Sequence, residues 1–146
     1  MKVFVKFALL VMLVSLVAAC GQSGGKVKEL KPENGIIKIS LSDVSDGKAH
    51  HFYTKVGNKD IKYFVLKSSD GVVRTAFDAC DVCFREKKGY SQDGDFMVCN
   101  NCGMRFHSRR INEVKGGCNP SPLVRDIDQA YLYIKSEDIA SGGMYF

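Results

Sequence analysis

The feature that most constrains how this chain can fold is a regular array of five cysteines. Two C-x-x-C pairs, Cys80 with Cys83 and Cys99 with Cys102, are followed by Cys118. Fifteen residues separate Cys83 from Cys99, and fifteen more separate Cys102 from Cys118. Two C-x-x-C pairs at such a distance are typical of metal sites, because two thiolates on one tight turn can reach the same ion. The array predicts a four-sulfur shell of Cys80, Cys83, Cys99 and Cys102, with Cys118 as a fifth ligand or a gate.

The N-terminal segment has the pattern of an export signal. A short positively charged start is followed by an apolar run, 7–17, that is too short to span a bilayer. The run ends in small residues immediately before Cys20, which is typical of bacterial lipoprotein signals. We therefore expect a signal peptide over 1–19, lipid attachment at Cys20, and a flexible lipid-anchored linker over 20–34. An ordinary secretory signal with a cysteine beside its cleavage site is the alternative.

Export also affects how the six cysteines can be interpreted. Disulfides are the usual state of cysteines outside the cytosol. If Cys20 carries lipid, five cysteines remain, and an odd number cannot all pair. The remaining chain has the length of an ordinary domain and does not need disulfides to fold. These points favour metal binding over a disulfide-stapled domain, although disulfides remain an alternative.

Strand-like segments dominate the rest of the chain. Alternating and β-branched stretches, separated by turn residues such as Asp70-Gly71, predict a mostly β (α+β) domain over 35–146, with the two C-x-x-C turns at strand ends. The segments 85–94 and 104–112 are expected to form a loop or hairpin and one or two helical turns, and a brief helix opens near residue 136. The predicted strands are 36–41, 51–56, 61–66, 72–77, 95–98 and 130–134.

The cysteine motifs and their flanks resemble a known bacterial family, the FtrD-like membrane iron–sulfur containing proteins. The similarity spans roughly 38–139 and is carried by 76–83, 88–90, 98–103 and 116–120. It implies an iron–sulfur cluster or iron at the cysteines and a partner in iron transport or redox chemistry in the cell envelope. Many relatives in this family are polytopic membrane proteins, whereas this chain has a lipoprotein signal in place of spanning helices.

Several metals suit such a site. The spacing alone is that of zinc ribbons, whereas the family resemblance points to iron, and soft thiolates would also bind Cu(I). The fifth cysteine argues against a closed zinc shell, which needs only four ligands. A structural zinc adapter that binds another envelope protein therefore remains an alternative, as does a thiol–disulfide oxidoreductase. A c-type haem is excluded, because Phe84 and Gly103 follow the two motifs where haem attachment needs histidine.

Other polar residues near the cysteines are weaker candidates. His107 could replace one cysteine as a ligand, although a hydrogen-bonded surface histidine is the simpler interpretation. His50 and His51 are adjacent, so in a strand they point to opposite faces and cannot both bind one ion. Asp78 and Asp81 flank the first motif and are expected to accept hydrogen bonds from nearby backbone amides or to support a metal ligand indirectly.

Composition excludes several function classes. The formal net charge of +5 is modest, and an exported protein with a small arginine cluster is not expected to bind nucleic acid. We find no catalytic triad, phosphate-binding glycine loop or paired carboxylates, so an enzyme is not expected. The sequence therefore predicts a lipid-anchored, extracytoplasmic protein of the bacterial envelope, on the periplasmic side in a two-membrane bacterium. It would bind metal or an iron–sulfur cluster, and transfer electrons or metal beside an iron transporter.

Overall fold

A computed structural model describes residues 27–146 of the chain. The predicted signal peptide, Cys20 and the first part of the predicted linker lie outside the described residues. Within 27–146, no helix is long and apolar enough to cross a membrane.

The described part of the chain is mostly β, which confirms the predicted fold class. One short helix, α1 (Ser136–Ser141), follows the last strand. The ten strands are β1 (Lys28–Glu29), β2 (Ile36–Ser40), β3 (His50–Val56), β4 (Lys59–Lys67), β5 (Val73–Phe77), β6 (Tyr90–Asp93), β7 (Phe96–Cys99), β8 (Arg105–His107), β9 (Asp126–Ile127) and β10 (Tyr131–Lys135).

These strands form three sheets, and the largest has the order β1-β3-β4-β5. Its neighbours β3, β4 and β5 pair antiparallel, with Tyr63 of β4 opposite Phe52 and Phe77. The other two sheets have three strands each, in the orders β2-β10-β9 and β6-β7-β8. The third sheet is a meander in which Tyr90 lies opposite Cys99.

Strand β4 supplies side chains to two separate hydrophobic clusters. Because successive side chains of a strand point to opposite faces, Tyr63 and Val65 enter the cluster formed with β2 and β10. Phe64 and Leu66 enter the second cluster, together with residues of β6 to β8. All four side chains are at most 1% exposed. The large sheet is therefore covered on both faces, and the second cluster includes Cys80 and Cys99.

The segment 85–94, expected as a loop or hairpin, contributes β6 to a hairpin with β7. The structure differs from the sequence-based predictions in two other segments. Lys28 and Glu29, predicted to lie in the linker, pair in parallel with β3. The helical turns expected over 104–112 are instead strand β8 followed by a single 3-10 turn at Ser108–Arg110, because β8 pairs with β7 and places Phe106 in the second cluster.

An asparagine side chain takes the place of a strand along the outer edge of β5. Asn112 Oδ1 accepts a hydrogen bond from the Thr75 amide at 3.0 Å, and its Nδ2 donates to the Thr75 carbonyl at 2.6 Å. The same Nδ2 also lies 3.2 Å from the Leu123 carbonyl. Thr75 is fully buried, so its amide depends on Asn112 for a hydrogen bond that water cannot supply, whereas its carbonyl also accepts one from the Leu123 amide at 3.3 Å.

We expect Asn112→Ala to destabilise the domain by about 1–3 kcal/mol, because it leaves the buried backbone amide of Thr75 unpaired. Asn58→Ala is the matched control, since Asn58 lies in an exposed turn, and should change the free energy of unfolding by less than about 0.5 kcal/mol. Urea unfolding of the reduced, metal-free protein measures both. Equal effects of the two substitutions would show that Asn112 does not stabilise this edge.

Candidate metal centre

The first cysteine pair lies just beyond the end of β5. This strand is buried along its whole length and ends at Phe77, so the chain emerges from the core directly into the first C-x-x-C turn. Cys80 is 1% exposed and belongs to the second hydrophobic cluster, and Cys83 packs against that cluster. The Cys83 amide donates to Cys80 Sγ at 3.2 Å, which orients that sulfur within the turn.

The second pair lies in the turn that joins β7 to β8. Cys99 is the last residue of β7 and is 2% exposed, whereas Cys102 is exposed. The Cys99 amide donates to the Met104 carbonyl at 2.9 Å, and the Gly103 amide donates to the Cys99 carbonyl at 2.8 Å. Gly103 has φ +74°, a conformation that glycine adopts without strain and that lets the chain return into β8.

Backbone hydrogen bonds hold the segment carrying Cys118 against the first pair. The Ser121 amide donates to the Ala79 carbonyl at 2.9 Å, and the Phe77 amide donates to the Ser121 carbonyl at 2.8 Å. The Tyr90 hydroxyl donates to the Cys118 carbonyl at 2.6 Å. Cys118 is therefore held by β5 on one side and by β6 on the other, although it is distant from both strands in sequence.

All five predicted cysteines come together, and their sulfurs form two groups of three. The Sγ atoms of Cys80, Cys83 and Cys99 lie within 4.8 Å of one another, and so do those of Cys83, Cys102 and Cys118. Cys83 belongs to both groups, and its Sγ lies 3.8 Å from that of Cys118. We call Cys80, Cys83 and Cys99 the inner group, and Cys83, Cys102 and Cys118 the outer group. Burial separates them, since the outer group includes the exposed Cys102.

The distances and the donor atoms fit metal binding. With a zinc–sulfur bond of about 2.3 Å, two thiolates on one tetrahedral ion lie roughly 3.8 Å apart. The observed Cys83–Cys118 separation has this value, and the sulfurs of each group lie within 4.8 Å of one another. Thiolates hold zinc, Cu(I) and iron–sulfur clusters. The predicted cofactor class, an iron–sulfur cluster or metal ion, therefore fits these residues; which of the five thiols are ligands stays a prediction.

The surroundings of Cys99, Cys102 and Cys118 shift the pKa values of these three thiols in different directions. Burial raises the pKa of Cys99 to about 11, although backbone amides of the turn partly oppose it. Burial also raises the pKa of Cys118 to about 12, and the neighbouring sulfurs of Cys102 and Cys83 add to the rise. The pKa of Cys102 is lowered, chiefly by a hydrogen bond from the Met104 amide. The centre thus combines one exposed thiol of lowered pKa, Cys102, with two thiols of raised pKa, Cys99 and Cys118.

The histidines do not belong to either sulfur group. His107 Nδ1 accepts a hydrogen bond from the Arg109 amide at 3.2 Å, and its ring packs on Phe96. His50 pairs with Asp46, while the ring of His51 packs against Phe64. The groups of potential ligands found within 27–146 contain cysteines alone.

The two aspartates beside the first pair hold the surrounding segments. Asp78 Oδ1 accepts a hydrogen bond from the Tyr90 amide at 2.7 Å, which ties the end of β5 to the start of β6. Asp81 Oδ1 accepts one from the Tyr145 hydroxyl at 2.6 Å, which ties the first C-x-x-C turn to the C-terminal residues. Sequence reasoning predicted a backbone-amide partner for both, and it missed Tyr145 because nothing in the sequence places residue 145 near residue 81.

A cavity of about 380 Å³ opens beside the inner group. All three inner cysteines line it, together with Tyr90. Burial, aided by Cys80, raises the pKa of Tyr90 strongly, so its hydroxyl remains a hydrogen-bond donor. Four lysines from two separate segments of the chain also line the cavity. Their approach to one another depends on the fold and could not be predicted from the sequence. They are Lys59, Lys62, Lys87 and Lys88.

A small mostly β domain with five clustered cysteines at strand ends is a cysteine-rich, metal-binding type of protein. The family comparison is consistent with that class: residues 44–146 match the family described as "Membrane iron-sulfur containing protein FtrD-like". The chain belongs to this family, which confirms the resemblance deduced from the cysteine motifs. The description of the family names membrane proteins.

Other comparisons add little. No curated protein matches the chain significantly. A solved structure of a quaternary ammonium Rieske monooxygenase in complex with an inhibitor aligns with a TM-score of 0.45 and 14% sequence identity. The alignment covers 71% of this chain and 32% of that one, so the chain spans about a third of that structure's length.

We expect Gly89→Ala to destabilise the domain by about 1–3 kcal/mol more than Gly94→Ala, because only the first places a methyl group against a hydrogen-bonded carboxylate. Both glycines have positive φ, +64° and +56°, so alanine is strained at either. A Cβ at Gly89 would lie 2.5 Å from Asp78 Oδ2, whereas at Gly94 it would meet no heavy atom within 4 Å. Urea unfolding of the metal-free variants measures the difference; equal losses would mean that Asp78 can move freely.

Proposed function

We propose that this chain is an exported, lipid-anchored protein of the bacterial cell envelope that binds a metal or an iron–sulfur cluster and transfers electrons or metal to an iron-transport partner. The observation that carries the proposal is the convergence of five cysteine sulfurs from three chain segments in two adjoining groups. The iron–sulfur description of the family supports iron as the metal.

The graded burial of the centre supports transfer over a purely structural role. Cys80 and Cys99 are nearly inaccessible, whereas Cys102 is exposed at the surface. Electrons or metal could therefore pass between a protected interior and a docked partner. A site that only holds the fold together needs no exposed ligand, since four buried thiolates satisfy zinc completely.

Charge near the centre supports an acidic partner. Four lysines, Lys59, Lys62, Lys87 and Lys88, line the cavity beside the inner group. Asp60, which also lines it, accepts a hydrogen bond from Lys55 at 2.7 Å. A partner with carboxylates at its contact surface would be attracted to this rim, and such attraction weakens as salt concentration rises.

We expect the full-length protein, purified from membranes without oxygen, to contain iron and acid-labile sulfide and to absorb broadly in the visible range. Cys80→Ser and Cys99→Ser should each bind less metal than the unmodified protein, because both remove a buried thiolate. His107→Ala is the matched control and should bind as much metal as the unmodified protein, since His107 lies in neither sulfur group. Elemental analysis and absorption spectra of the four proteins measure this.

The same measurements define the outcomes that would contradict the proposal. A colourless protein with one zinc per chain would indicate a structural site and an adapter role. A metal-free protein with oxidised cysteines would indicate disulfides. Metal content unchanged in both cysteine variants would show that the centre lies elsewhere.

We expect Cys20→Ser to abolish lipid attachment and to release the protein from the membrane fraction, because Cys20 is the predicted acylation site. Cys118→Ser is the matched control, since it also removes one cysteine but leaves the signal intact. Labelling with a radioactive fatty acid and fractionation of cells measure both effects. Membrane association and labelling that survive in Cys20→Ser would exclude the lipid anchor.

A further inference from the structure

The two sulfur groups share one member, and this bears on how many ions the centre holds. A single ion held by both C-x-x-C pairs needs the four sulfurs of Cys80, Cys83, Cys99 and Cys102 close together. Within 27–146, however, the sulfurs separate into two groups of three, and Cys102 belongs with Cys83 and Cys118 rather than with the inner group. The grouping therefore keeps the first C-x-x-C pair together and divides the second, and Cys83 belongs to both groups.

We propose that the centre binds two metal ions side by side, one in each group, with the Cys83 thiolate bridging them and the outer ion being the exchangeable one. This inference rests on the proposed function, since it concerns the same cysteines. Thiolate sulfur has lone pairs enough to bind two soft metal ions at once. Each ion then has three protein sulfurs, and the fifth cysteine is a required ligand rather than a surplus thiol.

Charge and geometry both favour this arrangement. Five thiolates carry a formal charge of −5, and two divalent ions reduce it to −1, whereas one divalent ion leaves −3 or requires a thiol to stay protonated. The Cys83–Cys118 separation of 3.8 Å suits two ligands of one ion. Within each group, all three sulfurs lie within 4.8 Å of one another. Each ligating thiol releases its proton to solvent as the ion binds.

The inner group is more buried than the outer group. This difference suits an inner ion that stays bound and an outer ion that exchanges. Two of the three inner sulfurs, those of Cys80 and Cys99, are in the second hydrophobic cluster. The cavity of about 380 Å³ beside them leaves room for a fourth, non-protein ligand on the inner ion. The outer ion would be held by the exposed Cys102 and the half-buried Cys118, where a partner or a chelator can reach it.

The test uses the full-length protein in detergent, reduced, freed of metal and titrated without oxygen with Co(II) as the probe. Thiolate-to-cobalt absorption should saturate at two equivalents. The cobalt EPR signal should grow up to the first equivalent and shrink towards the second, because two Co(II) ions joined by one thiolate couple antiferromagnetically. A chelator should then remove one equivalent much faster than the other.

Single variants locate the bridge. Cys80→Ser removes a ligand of the inner ion alone, and Cys118→Ser removes one of the outer ion alone, so each should saturate near one equivalent with an uncoupled signal. Cys83→Ser removes a ligand of both ions and should abolish the coupling. His107→Ala should behave as the unmodified protein, with two coupled equivalents.

Saturation of the unmodified protein at one equivalent, or two equivalents whose EPR signals simply add, would overturn the shared-thiolate arrangement. Either result would leave the proposed function standing, because metal would still be bound by these cysteines. Failure of the protein to bind either cobalt or iron would contradict both the shared-thiolate arrangement and the proposed function. Magnetic coupling in the unmodified protein tests whether the two ions share a thiolate, even if a cysteine variant does not fold.

Discussion

The burial of β4 and β5 on both faces is the constraint on which the rest of the structure depends. Alternation along β4 sends Tyr63 and Val65 to one hydrophobic cluster and Phe64 and Leu66 to the other. Two smaller sheets must therefore cover the large sheet. The sheet of β6, β7 and β8 is one of these covers, and its contact with Phe64 places the second C-x-x-C turn near the first. The hydrophobic effect thereby positions the thiols, because burying apolar surface brings these strands together.

Hydrogen bonds then fix the three cysteine-bearing segments relative to one another. Backbone hydrogen bonds of Ser121 join the segment that carries Cys118 to the end of β5. Asp78 joins the same end of β5 to β6 by accepting a hydrogen bond from the Tyr90 amide. Tyr90 completes the arrangement through its hydroxyl, which donates to the Cys118 carbonyl. Ligands held in place by such contacts lose less conformational entropy when an ion binds. This centre therefore combines preorganised backbone with thiols that still differ in accessibility.

The sequence was most informative where a local spacing determines geometry, and least where distant segments meet. C-x-x-C spacing was enough to predict that Cys80 with Cys83, and Cys99 with Cys102, lie on tight turns. Strands of alternating or β-branched residues, such as β4 and β5, were also predictable. The sequence left a loop and a hairpin open over 85–94, because the residues of β6 are mostly polar and the strand depends on pairing with β7. The sharing of Cys83 between two groups depends on tertiary packing and leaves no mark on the spacing.

The division of the centre into a buried and an exposed half would suit the proposed transfer role. A closed structural shell gains nothing from exposing a thiol, because exposure invites oxidation and competing ligands. Cys102 is exposed and has a lowered pKa, so it is the thiol most readily available to an incoming metal ion. Cys99 and Cys80 are protected by the second cluster and retain what they bind. An ion or electron that enters at Cys102 would reach the interior through Cys83, the one sulfur common to both halves.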